Sequence, residues 1–262
     1  MTLPTTFFGW VVFLLDKYGA LFLKGSINTL IVALSGTVIG FFIGLLMGIL
    51  RTIPTSPMDH MIKKILRIIL DKILSFYIFV FRGTPMMVQA MIIFYGSLQY
   101  LHISMSVLFA SILIISVNTG AYMAEIIRGG IISVDPGQFE GSHSLGMTHW
   151  QTMTSIILPQ AIRNSMPSIG NEFVVNIKDS SVLNVISMSE LFFISKSASG
   201  AYLRYFEVFF ITGIIYLVMT AGVTYILRKI EKKMEGPSGY QLCTEEGNAA
   251  GLLADTKGEQ TK

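Results

Sequence analysis

Three stretches of this sequence carry no formal charge for longer than a bilayer is thick: residues 27–50, 83–124 and 208–227. About twenty apolar residues in a helix cross the hydrocarbon layer. In lipid every backbone N–H and C=O must find its partner inside the chain, which leaves helices as the natural solution for such runs. The expected class is therefore all-α and polytopic. Composition agrees: of 262 residues, 52% are hydrophobic and 13% charged. One cysteine, Cys243, excludes an internal disulfide. The histidines show no metal-ligand spacing, and His143 and His149 read as surface residues on either side of a glycine.

Charge placement sets the order of crossings. The 27–50 run repeats glycine at Gly36, Gly40, Gly44 and Gly48, a smooth stripe that lets another helix approach closely. Packing within the chain is favoured over a subunit contact. Six basic residues follow (Arg51, Lys63, Lys64, Arg67, Lys72 and Arg82), which marks 51–82 as cytoplasmic. Met61, Ile62, Ile65, Leu66 and Ile69 follow helical spacing and predict an amphipathic helix on the inner surface. The run 83–124 suits two crossings of about twenty residues, turning near Gly96 to His102. Gln89 and Asn118 are isolated amides within them. The last run precedes Arg228, Lys229, Lys232 and Lys233, again cytoplasmic.

Parity then requires one more crossing, in the region of Pro167 to Glu190, obscured by Glu172, Lys178 and Asp179. The expectation is five transmembrane helices, N-terminus out and C-terminus in. Residues 1–26 are read as an extracytoplasmic or interfacial segment. Its apolar run Phe7–Leu15 is too short to span and lacks a basic leader, so Trp10 and Tyr18 are expected at headgroup level. Residues 27–233 form the transmembrane domain. Residues 234–262, rich in Gly, Glu, Thr and Lys, are expected to be a disordered cytoplasmic tail.

The longest polar interruption is Asp135 to Pro159, on the cytoplasmic side. Asp135-Pro136 is a helix start, with a side-chain cap and a proline at the first helical position. Gly146 is placed to end that helix in a left-handed turn. Thr148 and Gln151 have capping-box spacing for a second short helix, which Pro159 would end or kink. A capped helix pair between crossings is a docking surface for another protein.

The obscured crossing carries the chemistry. Glu172, Asn176, Asp179 and Ser180 fall on one helical face, a candidate lining for a solute path. Charges in lipid cost about 2.5–3.5 kcal/mol each on insertion scales and normally turn to a cavity or a partner. Lys178 lies off that face and could pair with Glu125 or reach headgroups. Glu125 can also pair with Arg128 one turn on, a structural role. No GxxxxGK[ST] or GxGxxG motif is present, so no energy source is visible in the chain. An ion-coupled carrier or channel using Glu172, Lys178 and Asp179 is the second reading, although no internal repeat supports it. An intramembrane enzyme finds no nucleophile and base.

The polar stretch resembles the EAA loop of bacterial ABC importer membrane subunits, E-A-A-x3-G-x9-I-x-L-P. Here Glu140-Gly141-Ser142, Gly146, Ile156, Leu158 and Pro159 keep its spacing, with Gly141 and Ser142 in place of the alanines. FRGTPMMVQ (Phe81–Gln89), AYMAEIIRGGIISVDPGQ (Ala121–Gln138) and LPQAIRNSMPSIGNEFVVNIKDSSVL (Leu158–Leu183) look like the polar amino-acid branch. The likeness covers roughly 18–233. It implies a permease in a bacterial cytoplasmic membrane, paired with itself or a relative. Two ATP-binding subunits would carry ATP and Mg, and an extracytoplasmic binding protein would deliver the amino acid. The chain itself would hold no cofactor and bind no nucleic acid. Glu140, Gly141, Ser142 and Gly146 would form the coupling helix. Glu172 and Asp179, with Asn176 and Ser180 on their face, would line the path, and their charge would suit a basic solute.

Overall fold

In a computed structural model of the chain, residues 3–53 and 60–234 are described, and all regular structure among them is helical. The expected disordered tail lies outside the described residues.

Helix α1 runs Phe7–Thr52, 46 residues, capped by the Thr6 hydroxyl accepting from the Gly9 N–H. It ends at Ile53, whose extended backbone is what a following proline demands. At 1.5 Å per residue α1 is about 69 Å long, more than twice the hydrocarbon thickness. The expected step near residue 26 is therefore not a helix end, because nothing between Asp16 and Ile27 breaks a helix. Lys17 in this part donates to the Tyr202 hydroxyl, and Arg204 stacks over Trp10 at 4.6 Å.

Helix α2 (Met61–Gly83) buries only Ile78. Its exposed face of Met61, Ile62, Ile65, Leu66 and Ile69 is the expected amphipathic one. Pro85 breaks the chain: Thr84 is extended (φ −121°, ψ 148°) and α3 (Met86–Tyr100) restarts at once. Its 15 residues, about 22 Å, fall short of the expected crossing of about twenty. The break leaves carbonyls at the end of α2 without helical partners. Gln89 Nε2 donates to Phe81 O (3.0 Å) and Thr84 O (2.9 Å), and Asn118 Nδ2 donates to Gln89 Oε1 (2.9 Å). The two amides that look isolated in the sequence thus bond each other and heal the break.

After a turn with His102 at φ 53°, α4 runs Val107–Ile132 from its Ser106 cap. Helix α4 lies parallel to α1 along the glycine stripe. Gly36 faces Ile115, Gly40 faces Thr119, Gly44 faces Met123 and Gly48 faces Ile127. A methyl group at any of the four would stand 2.3–2.8 Å from these side chains. The stripe packs within the chain, as favoured.

Next come α5 (Pro136–Ser144) and α6 (His149–Thr152), then a π-helical turn Met153–Ile157 that runs straight into α7 (Leu158–Asp179). Pro159 does not end the helix. The wide π turn just before it absorbs the missing N–H and the bulk of the ring. Pro167, expected at the start of the crossing, lies inside α7. A 3-10 segment, Ser180–Ile186, follows and stops at Ser187 in the left-handed region (φ 64°). Helix α8 (Leu191–Tyr202) is capped by the buried Glu190 carboxylate, and α9 (Tyr205–Met234) closes the described chain. Among the described residues α1, α4 and α9 are the helices long and apolar enough to cross a membrane.

Gly44 faces backbone as well as side chain, with Ala124 N at 2.7 Å from a built Cβ, so the neighbour has no soft end to move. Gly44→Ala should cost about 1–3 kcal/mol of stability. Gly129→Ala, exposed on α4 with nothing within 4 Å, should be neutral or gain up to about 1 kcal/mol. Thermal unfolding of the purified protein in detergent, as a difference in Tm, separates the two.

Candidate functional site

The polar stretch folds as its capping residues dictate. Asp135 Oδ1 accepts from Gly137 N at 2.6 Å, and Pro136 occupies the first helical position of α5. Gly146 ends the helix at φ +76°, a region only glycine enters without strain. Met147 N then bonds back to Ser142 O (3.1 Å). Thr148 and Gln151 make both bonds of the capping box. Phe139 turns inward against the cluster of Ile127, Ile131, Val134, Met153 and Ile157 and anchors α5 to the C-terminal end of α4 and the π turn before α7.

The four expected contact residues divide between two faces. Glu140, Gly141 and Gly146 are exposed. Ser142 is buried at 2% and bonds to Gln138 O, so its smallness serves the chain's own packing. The exposed surface carries two large apolar residues that the motif spacing did not single out, Leu145 (82% exposed) and Trp150 (65%). An apolar residue just before a C-terminal glycine was the available signal for Leu145.

On α7 the expected polar face is also divided. Asn176 is buried, and its Nδ2 donates to Thr37 Oγ1 (2.8 Å) and Thr119 Oγ1 (2.9 Å). It therefore ties α7 to α1 and α4. Ser180 is fully buried and donates to Ile177 O (2.9 Å) at the end of the helix. Glu172 and Asp179 are half-buried, and among the described residues no hydrogen bond or ion pair reaches either carboxylate. Arg82, over the Tyr122 ring at 5.3 Å, lies within electrostatic range of Glu172. Lys178 is exposed and lines a groove of about 380 Å3 between α7 and α9, with Thr220, Thr224, Tyr225 and Arg228.

Lys178 does not pair with Glu125, whose two oxygens are taken by Arg51 (2.5 Å) and Arg128 (2.8 Å). Arg128 is the expected partner one turn away. Arg51 was missed, because it is 74 residues distant in sequence. No group of three or more His, Cys, Asp or Glu suited to a metal ion occurs among the described residues. The chemistry on offer is electrostatic: two unpaired carboxylates and a lysine on one helix.

Comparison with known proteins gives a consistent result. The family described as the inner membrane component of binding-protein-dependent transport systems matches residues 65–236. The arginine transport system permease protein ArtQ of Bacillus subtilis is 32% identical over 213 residues, 81% of this chain and 92% of that protein. The glutamine transport system permease protein GlnP of Escherichia coli is 32% identical over 216 residues, 82% of this chain and 93% of that one. A crystal structure of an amino acid ABC transporter with histidines superposes with a TM-score of 0.73 at 36% identity, over 88% of this chain and 99% of the other. An inward-facing methionine transporter, MetNI, shares the fold at a TM-score of 0.69 and 18% identity, over 84% of this chain and 98% of that one.

The Asn176 geometry has a direct consequence. Asn176→Ala leaves the Thr119 hydroxyl without its partner, while Thr37 still donates to Ala33 O (2.7 Å), and should lower stability by about 1–2 kcal/mol, as loss of a buried polar tie between membrane helices does. Its Tm should fall while the preference between charged and neutral solutes stays as it was. Competition binding measured on the same preparations checks the second half.

Proposed function

We infer the function of this chain from the family to which it belongs, the inner membrane components of binding-protein-dependent transport systems. On that premise it is the membrane permease subunit of an ATP-driven importer, and we propose that its cargo is a polar amino acid. The permeases named for arginine and glutamine support that class. The ion-coupled carrier reading gains nothing from the relatives or from the fold.

We propose five crossings, N-terminus out and C-terminus in, in a bacterial cytoplasmic membrane: α1, α3 with the last turns of α2, α4, α7 with its 3-10 extension, and α9. A second copy or a close relative would complete the membrane unit. Two ATP-binding subunits would carry ATP and Mg, and an extracytoplasmic binding protein would deliver the solute.

One observation carries the coupling assignment. A short capped helix stands at the same end of the bundle as the close of α4, with Glu140 and Gly141 outward, in a chain without a nucleotide-binding motif, and that end would be the cytoplasmic one. Closure of the ATPase pair would push α5. Three residues join α5 to α4, and the unbroken run of α6, the π turn and α7 leads from its other side to Glu172, Lys178 and Asp179. Those carboxylates suit an ammonium or a basic side chain, and Lys178 suits a carboxylate.

In vesicles holding the complete transporter, Glu140→Lys combined with Gly146→Trp should cut ATP-dependent uptake by more than about tenfold at unchanged membrane levels, a loss above 1.4 kcal/mol. Unchanged transport would reject the coupling role. Asp179→Asn should weaken arginine transport on the order of tenfold more than glutamine transport. An equal loss for both would reject charge reading at that residue.

A further inference from the structure

The ends of α1 and α4 and the middle of α2 are joined by one guanidinium. Arg51, in the last turn of α1, uses all three of its nitrogens. One bonds Glu125 Oε1 on α4 at 2.5 Å, one Asp71 Oδ1 on α2 at 3.3 Å, and one Ser75 Oγ on α2 at 3.4 Å. Glu125 completes the set with its other oxygen, which accepts from Arg128 at 2.8 and 3.1 Å. The central pair is the sheltered part: the Arg51 and Glu125 side chains are 18% and 23% exposed, against 52% for Asp71. Hydrogen bonds between ionised groups are roughly twice as strong as neutral ones.

The position of this cluster matters more than its strength. Glu125 lies two turns before the end of α4, and only Ser133, Val134 and Asp135 separate that end from α5. Between cluster and helix is a cavity of about 380 Å3, with Arg51, Arg128 and Ile131 on one side and Pro136 and Phe139 on the other. Helix α5 thus touches the bundle through Phe139, with this open groove beside the contact. A push on α5 reaches the bundle through the end of α4. If that end can yield, the push is absorbed locally.

We propose that Glu125, through Arg51, is a positioning residue for energy coupling. It locks the inner ends of α1 and α4 to the middle of α2 as one body, so that movement of α5 is passed on to the solute path. This rests on the importer function proposed above. Glu125 touches neither solute nor ATPase in this account. A merely structural pair would change stability and leave the stoichiometry alone.

The test uses the complete transporter in proteoliposomes, with labelled arginine and glutamine taken up and ATP hydrolysis measured on the same vesicles. Glu125→Gln keeps the size of the side chain and removes its charge. Arg51→Lys keeps the charge and removes the fork. For each, ATP hydrolysis should continue while amino acid moved per ATP falls at least about fivefold, the lower end of usual coupling energies. Asp71→Asn, which loosens only the α2 arm, should fall less. Wild-type stoichiometry in both Glu125→Gln and Arg51→Lys overturns the proposal, whatever happens to Tm. If Glu125→Gln fails to assemble, the Arg51→Lys ratio decides in the same way. Absence of ATP-driven uptake by the unaltered complex would instead overturn the importer function itself.

Discussion

The close approach of α1 and α4 is the constraint on which the other contacts depend. Four glycines at four-residue intervals let Ile115, Thr119, Met123 and Ile127 press onto bare backbone. In lipid there is little hydrophobic drive between helices, so contact area and polar ties carry the association. The stripe supplies the first and fixes the register for the second. With the two helices parallel and in this register, Thr37 and Thr119 stand together and can both accept from Asn176. The same register brings Arg51 level with Glu125 at the other end. Helix α7 is fixed partly by the Asn176 tie and partly by Gly130, whose bare backbone lies against Ala161 and Ser165.

What the sequence made legible follows a rule. Local signals with their own geometry came out as expected: the Asp135 cap, the left-handed Gly146 and the Thr148–Gln151 box are each decided within four residues. So did the glycine stripe and the amphipathic face of α2, which are periodic along one helix. Most misses concern which neighbour covers a face. Periodicity places Asn176 beside Glu172 and Asp179, but only the third dimension shows that two threonines are waiting for it. Gln89 and Asn118 look alone because their partners are 29 residues apart and on carbonyls freed by Pro85. Glu125 found Arg51 rather than Lys178 for the same reason. Continuity was the other blind spot. The sequence marks Pro159 as a breaker, and a π turn just upstream accommodates it.

The corrected map sharpens the division of labour. Of the polar face first assigned to the path, Asn176 and Ser180 belong to the scaffold, while Glu172 and Asp179 keep carboxylates that no hydrogen bond or ion pair in the described chain satisfies. If α7 crosses the membrane as proposed, charges left unsatisfied there are costly and call for a solute, a partner chain or water. At the other end α5 presents Glu140, Gly141 and the exposed Leu145 beyond the bundle, held by one aromatic anchor. A four-residue turn leads from α5 into the continuous run of α6, the π turn and α7, and α1, α2 and α4, tied through Arg51, form the body against which that run can move.

The account turns on ATP as the driving force, and reconstitution addresses that most directly. The chain would be purified with its ATP-binding subunit and placed in vesicles with no ion gradient. Labelled arginine or glutamine would be presented with the binding protein on the outer side. The account predicts accumulation only when ATP and Mg are enclosed with the ATPase, and none from this chain alone under a proton or sodium gradient. Uptake driven by such a gradient without ATP would contradict it.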